Sequence, residues 1–156
     1  MQRLKLDLIV LTREKIEQEI RDVSLEVLAS LPALLPLAQT AESRTFYLKM
    51  HADFQRYAAD ASVSDGYKPK VEEAKRLYDL ALREAEQLFA THPLRLAVAL
   101  NFSVFLFDNM KDARQAAELA KTAFDQALFD LESVEEERAT ETLRVMQLLK
   151  DNFSQW

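Results

Sequence analysis

The fold is read from the stretch Thr40-Ala41-Glu42-Ser43-Arg44-Thr45-Phe46-Tyr47-Leu48-Lys49-Met50-His51-Ala52-Asp53-Phe54-Gln55-Arg56-Tyr57-Ala58-Ala59-Asp60-Ala61. Phe46, Met50, Phe54, Tyr57 and Ala61 recur at steps of four, four, three and four, which is the period of a helix with one apolar face. The polar side has its own regularity. Lys49, Asp53 and Arg56 stand at i, i+4 and i+7 and share a face that the spacing puts roughly opposite the apolar one. The helix stops before Ser64-Asp65-Gly66, where the single glycine of the chain suits a turn or a left-handed cap.

The same punctuation divides the rest of the chain. Upstream, Leu8, Leu11, Ile16, Ile20, Val23 and Val27 mark a helix from about Leu4 to Leu31, broken by Pro32 and Pro36. Downstream, a third helix is expected over about Lys70 to Ala90, with Ala74, Tyr78, Ala81 and Ala85 on one face. A fourth opens at Thr91-His92-Pro93, with proline suited to the first turn, and runs to about Asp108. Asn109 with Asp112 caps a fifth, to about Glu132, which repeats the small-residue stripe as Ala116, Ala120, Ala123 and Ala127. The offset of 42 between the two stripes is not the 34-residue period of tetratricopeptide repeats, so the echo reads as shared packing logic. Ser133 with Glu136 forms a capping-box pattern for a sixth helix that reaches the C-terminus. Short connections imply antiparallel neighbours. The expectation is one all-α domain, an antiparallel array of about six helices.

Composition narrows the function. The 156 residues carry 20 Lys+Arg and 26 Asp+Glu, a net charge of −6, with 49% apolar residues. That acidic balance argues against a general nucleic-acid binder. The absence of cysteine removes disulfide frameworks, thiolate metal sites and thiol nucleophiles. One glycine, where average usage would give roughly eleven, removes phosphate-binding glycine loops and nucleophile elbows. The most apolar stretch, Val27 to Ala38, contains two prolines and falls short of a bilayer span, so a cytoplasmic protein without membrane contact is expected. His51 and His92 lie in no metal or catalytic motif, and no nucleophile–base pair is visible. No catalytic residue, metal or cofactor is expected.

Two constellations remain. Lys49, Asp53 and Arg56, with Tyr57 alongside, are either an ion pair on a solvated face or an anion site in which guanidinium, ammonium and phenol grip a phosphate. Asn101 and Asn152 interrupt apolar stripes. Asn101 lies among Leu100, Phe102 and Val104; Asn152 aligns with Val145, Leu148 and Trp156. Each carboxamide either bonds a neighbouring helix or offers its donor and acceptor to the backbone of an extended peptide.

At these residues the sequence resembles the 14-3-3 family. The resemblance is carried, in order, by Thr45-Phe46-Tyr47-Leu48-Lys49-Met50 with Asp53 and Arg56-Tyr57, by Thr91-His92-Pro93, by Leu100-Asn101-Phe102-Ser103-Val104-Phe105, by Leu119-Ala120-Lys121-Thr122-Ala123-Phe124-Asp125, and by Met146-Gln147-Leu148-Leu149-Lys150-Asp151-Asn152. It covers residues 13–156 as a partial helical domain, while residues 1–12 form an unmatched segment continuing into the first helix.

The resemblance implies a non-enzymatic adaptor whose groove binds phosphoserine or phosphothreonine segments of other proteins. Arg56 and Tyr57 would bind phosphate, with Lys49 beside them. Asn101, Asn152 and Asp108 would hold the ligand main chain, and Leu100, Val104, Val145, Leu148 and Trp156 would form the apolar side. It also implies that the chain holds the last six of nine helices, so that the usual dimer helices are absent and dimerisation is impaired. The phosphate pocket would lack two cationic partners. At roughly 1.5–3 kcal/mol for each charge-assisted bond, that loss costs on the order of 3–6 kcal/mol, or two to four decades of affinity. Asp108 is a shortened carboxylate where the family has glutamate, and Arg144 replaces a groove leucine. The alternative is a phosphate-independent helical scaffold, a degenerate or repeat-like interaction module.

Overall fold

The computed structural model of the protein describes residues 2–62 and 66–156. Within them the chain forms six α-helices and no strand: α1 (Gln2–Leu34), α2 (Ala41–Asp60), α3 (Tyr67–Ala85), α4 (Pro93–Asp108), α5 (Ala113–Phe129) and α6 (Glu136–Gln155). Single 3-10 turns lie at Leu35–Leu37 and Leu131–Ser133. Each helix packs on its successor, and α4 also meets α2 and α6, which puts α4 at the centre of the array. The connections are too short for anything but an antiparallel return.

The helix starts follow from local chemistry. Thr40 and Ser43 close a reciprocal capping box on α2, so two amide groups that lack intrahelical partners are satisfied. His92 caps α4 by accepting from the Leu94 amide through Nδ1 at 3.1 Å, and Pro93 fills the first turn. Asp112 caps α5 by accepting from the Gln115 amide at 2.9 Å. Asn109 does not share that role. It ends α4 and donates through Nδ2 to Asp60 Oδ1 at 2.6 Å, tying α4 to α2.

Several features differ from the sequence expectation, among them the end of the fifth helix, at Phe129 rather than about Glu132. Pro32 does not end the first helix, which continues to Leu34 before the 3-10 turn at Pro36. A proline removes one amide donor, and so late in a helix little remains to be disrupted. The third helix stops at Ala85, because residues 86–92 turn back to bring His92 over the α4 terminus. The sixth starts at Glu136 behind Glu135, which makes no side-chain cap, and the Ser133 side chain of the expected capping box lies outside the described residues. Gly66 has φ −87° at the start of α3 and is not a left-handed cap; the one non-glycine residue with positive φ among the described residues is Lys111, at 58°. Ser64 and Asp65 lie outside the described residues.

Two alanine stripes make the core possible. Ala74, Ala81 and Ala85 with Tyr78 on α3, and Ala116, Ala120 and Ala127 on α5, are fully buried. Small side chains let neighbouring helices approach, and the larger Leu77, Phe105, Leu96 and Leu149 fill the space between. Burying each of these large side chains contributes about 1.5–3 kcal/mol.

The buried face of α2 is Thr45, Ala52, Asp53, Ala58 and Ala59. Phe46 and Tyr57 are exposed, while Met50 and Phe54 are half-buried. The Lys49/Asp53/Arg56 face is therefore not opposite the aromatic one. At 100° per residue the two are about 90° apart, and both border the same cleft.

Helix α1 is built in two parts. Ser24 and Leu31 are buried and Glu17, Arg21 and Leu28 are half-buried, so positions 17, 21, 24, 28 and 31 form the face laid on α2. Arg21 donates across that contact to the Ala61 carbonyl at 2.5 Å. Ile9, Ile16, Ile20 and Val23 lie on an adjacent face and are exposed.

Candidate functional site

The site is organised by a buried carboxylate. Asp53, on the inner face of α2, collects donors from three helices: Lys49 Nζ from its own helix at 2.7 Å, the Tyr78 hydroxyl of α3 at 2.5 Å, and Asn101 Nδ2 of α4 at 3.0 Å to both oxygens. A buried ion survives only when its lone pairs are satisfied in this way. Lys49 and Asp53 form an i,i+4 pair whose side chains are 21% and 9% exposed, so water screens this pair far less than it would a surface pair.

Tyr78 is fully enclosed and stacks on Phe102, with ring centroids 5.3 Å apart and planes 7° from parallel. Burial first, and the Asp53 charge second, push its hydroxyl pKa up, so it stays protonated and donates. The sequence showed Tyr78 only as one position of an alanine stripe. A phenol among alanines on a buried face must find a polar partner, and that was the signal available.

Arg56 is half-buried beside this hub. Its guanidinium sits 5.0 Å from the centre of the Tyr57 ring, and its buried Nε has no hydrogen-bond partner. Burial disfavours the charge, but the surrounding Tyr78, Tyr57 and Asp53 outweigh that and hold its pKa above the ordinary arginine value. Two cations, Lys49 and Arg56, therefore face one carboxylate, Asp53, and the hub carries one uncompensated positive charge.

Beside the hub opens a cleft of about 760 Å³ between α2 and the first turns of α4 and α6. Lys49, Asp53, Phe54, Tyr57, His92 and Arg138 are among its walls. His92 is buried, and its Nε2 has no hydrogen bond and lies 3.6 Å from Glu42. Burial, and then the Arg138 charge, lower its pKa, leaving the imidazole neutral with Nε2–H unpaired in the wall. Nothing in the sequence around His92 pointed to this position.

The remaining residues singled out from the sequence fall into two groups. Leu100, Val145 and Trp156 pack half-buried on the α4–α5–α6 core, and Trp156 stacks on Phe107 with centroids 4.9 Å apart. Val104 is half-buried one turn beyond Asn101, and Leu148 is exposed. Asn152 is half-buried near the end of α6, and Asp108 is exposed at the end of α4, two turns from Asn101 and on the same face. Neither takes part in the Asp53 network. The structure thus joins Lys49, Arg56, Tyr57 and Asn101 around Asp53, and places the others along α4 and α6.

The family profile described as "14-3-3 protein" matches residues 2–156. The chain is 44% identical over 146 residues to 14-3-3 protein homolog 2 of Schistosoma mansoni, covering 92% of this chain and 68% of that protein. It is 41% identical to 14-3-3-like protein 2 of Caenorhabditis elegans and 40% identical to human 14-3-3 protein beta/alpha, covering 92% of this chain and 59% of each of those proteins. The chain thus spans about three-fifths to two-thirds of the length of these relatives. No helix among the described residues is long and apolar enough to cross a membrane. With a profile matched along nearly its whole length and relatives above 40% identity, the chain belongs to the 14-3-3 family.

Proposed function

We propose that the chain acts without catalysis as an adaptor that binds phosphoserine or phosphothreonine segments of partner proteins. Arg56, Tyr57 and Lys49 receive the phosphate. Asn101, Asn152 and Asp108 hold the peptide main chain, and Leu100, Val104, Val145, Leu148 and Trp156 meet its side chains. The observation that carries this reading is the half-buried guanidinium of Arg56, with an unpaired Nε, beside Tyr57. A buried arginine donor without an acceptor is costly, and a phosphate oxygen is the acceptor whose geometry it matches.

In this reading each neighbour of Asp53 has a role. Asp53 orients Lys49 before any ligand arrives. It also takes the Asn101 amide donor, leaving Oδ1 to accept an amide N–H from the ligand. One net positive charge against a phosphate dianion makes a pocket that binds weakly by itself.

Fluorescence titration with a labelled phosphoserine peptide and its unphosphorylated twin tests this. The phosphorylated form is expected to bind more tightly, and Arg56→Ala to remove the difference by roughly 10- to 150-fold, the equivalent of one charge-assisted bond. Equal binding of the two peptides would contradict the proposal. A second reading, phosphate-independent scaffolding, draws support from the apolar cleft wall of Phe46, Met50, Phe54 and Tyr57, which accepts apolar side chains without any anion. It predicts that equal binding.

A further inference from the structure

The two most exposed large apolar side chains among the described residues are Phe129 and Phe89, at 89% and 81%. They stand on different elements, the last residue of α5 and the turn between α3 and α4, yet they line one hollow of about 600 Å³. Single exposed apolar residues are ordinary, but two aromatics in one hollow mark an interaction surface. The turn that carries Phe89 is held from both sides. Arg95 donates to the Leu88 carbonyl at 2.8 Å and to Gln126 Oε1 of α5 at 3.0 Å. The Thr142 hydroxyl of α6 donates to the Thr91 carbonyl at 2.8 Å. The backbone at Phe89 is thus anchored, and a contact with its ring carries little ordering cost.

This surface continues into the cleft. Phe89 also walls a second hollow of about 260 Å³, whose other side is His92 and Arg138, and those two residues wall the Lys49–Tyr57 cleft as well. At the crossing, His92 Nδ1 accepts from the Leu94 amide, so the ring proton sits on Nε2. That Nε2 is buried without a hydrogen bond, and Glu42 is 3.6 Å away. A main-chain carbonyl passing there would satisfy it.

We propose that a partner whose phosphorylated segment lies in the cleft continues past His92 and seats a large apolar side chain between Phe89 and Phe129. That the segment is phosphorylated rests on the phosphopeptide reading; the apolar seat does not. Charge says what flanks that side chain. On the hollows and the turns that carry them, Glu86, Asp125, Asp130, Glu132 and Glu135 outnumber Arg95, Lys121 and Arg138. The fitting segment therefore carries Lys or Arg beside its apolar residue, and a second copy, with the same acidic surplus, is disfavoured. Along α2 the phosphate position lies about ten residues, or roughly 15 Å, from Glu42 beside His92. Crossing to Phe129 adds on the order of 10 Å, so an extended chain spans the distance in about eight residues.

Two extended phosphoserine peptides test it. Each carries a Gly-Ser spacer of about six residues and then Lys-Phe-Leu-Lys, attached at the N-terminal end of one and the C-terminal end of the other. In fluorescence titration one of them is expected to bind about 10-fold more tightly than the unextended peptide. A millimolar effective concentration gives that gain at a seat whose own Kd is about 0.1 mM. Replacing Phe89 and Phe129 together by Ser removes the gain, with circular dichroism and the affinity of the unextended peptide unchanged. Lys-Phe-Leu-Lys alone, titrated into isotope-labelled chain, shifts the amide signals of residues 88–90 and 126–130. Equal binding of all three phosphopeptides, or a gain that survives the double substitution, overturns the proposal. If no phosphopeptide binds, the amide signals separate the two readings: shifts at those residues support the seat and refute the phosphate site, and unshifted signals refute both. Self-association of the chain that is lost on Phe129→Ser would assign the hollow to a second copy and overturn the proposal.

Discussion

The Asp53 hub and the first half of α1 reverse the usual distribution of residues. At the hub a carboxylate, a phenol and an amide are drawn inward and joined, 25 and 48 residues apart in sequence, while at α1 four β-branched side chains are left in water. Burial therefore follows available partners rather than polarity alone. Asp53 is inside because three donors converge on it. Ile9 and Ile16 are outside because α2 covers only one side of α1. The comparison predicts that the polar region is where the fold is most fragile, and that the apolar one is nearly indifferent to truncation.

The largest effect tests the hub. Asp53→Ala leaves a partly buried ammonium, a buried phenol and an amide without their acceptor, and is expected to lower the unfolding free energy by about 3–5 kcal/mol in urea titration. That is a large share of the roughly 5–15 kcal/mol typical of a domain. Next comes the contrast inside α1. Leu31→Ala, buried at 2% exposure, should cost about 2–5 kcal/mol, while Ile9→Ala should stay within ~0.5 kcal/mol. Equal costs at the two positions would show that the stripe is packed after all. Tyr78→Phe keeps the ring stack and deletes one donor, and should cost about 1–3 kcal/mol.

A pH series extends the comparison to the cleft wall. The folded-state pKa of His92 lies below its unfolded value, because burial and then Arg138 disfavour the imidazolium; that of His51 is lowered chiefly by burial. The unfolded chain thus binds more protons than the folded one around these residues. Stability should be full above the ordinary histidine pKa of about 6.5 and fall as pH drops below it. His92→Gln should flatten part of that fall in chemical denaturation, and a slope unchanged in the variant would mean that His92 is not the group responsible. A further effect is local: Thr40→Ala removes the capping box of α2 and should cost about 0.5–2 kcal/mol, measured in the same way.

Much of this was legible in the sequence. The prolines, Thr40, His92 and Asp112 place the helix starts through chemistry that is local, and the alanine stripes announce close packing at any distance. Lys49 and Asp53 are readable as a pair because four residues separate them on one helix. Tyr78 was not readable as a partner of Asp53, since periodicity marks it as buried without saying what it will touch. The error over the two faces of α2 has a similar origin. Counting Phe46 to Ala61 finds the apolar residues, but Thr45, Ala52 and Ala59 turn inward because α3 and its alanines approach there. The side of α1 that is covered depends on where α2 ends, which no reading of α1 alone contains.

The central claim is that Arg56 and Tyr57 receive a phosphate, and phosphorus NMR tests it without reference to the rest of the ligand. A phosphoserine peptide titrated with the protein should show a shifted or broadened phosphorus resonance, and Arg56→Ala should restore the free signal. A phosphorus resonance that stays unchanged while the peptide's proton signals move would contradict the account, because the groove would then bind the chain and ignore the phosphate.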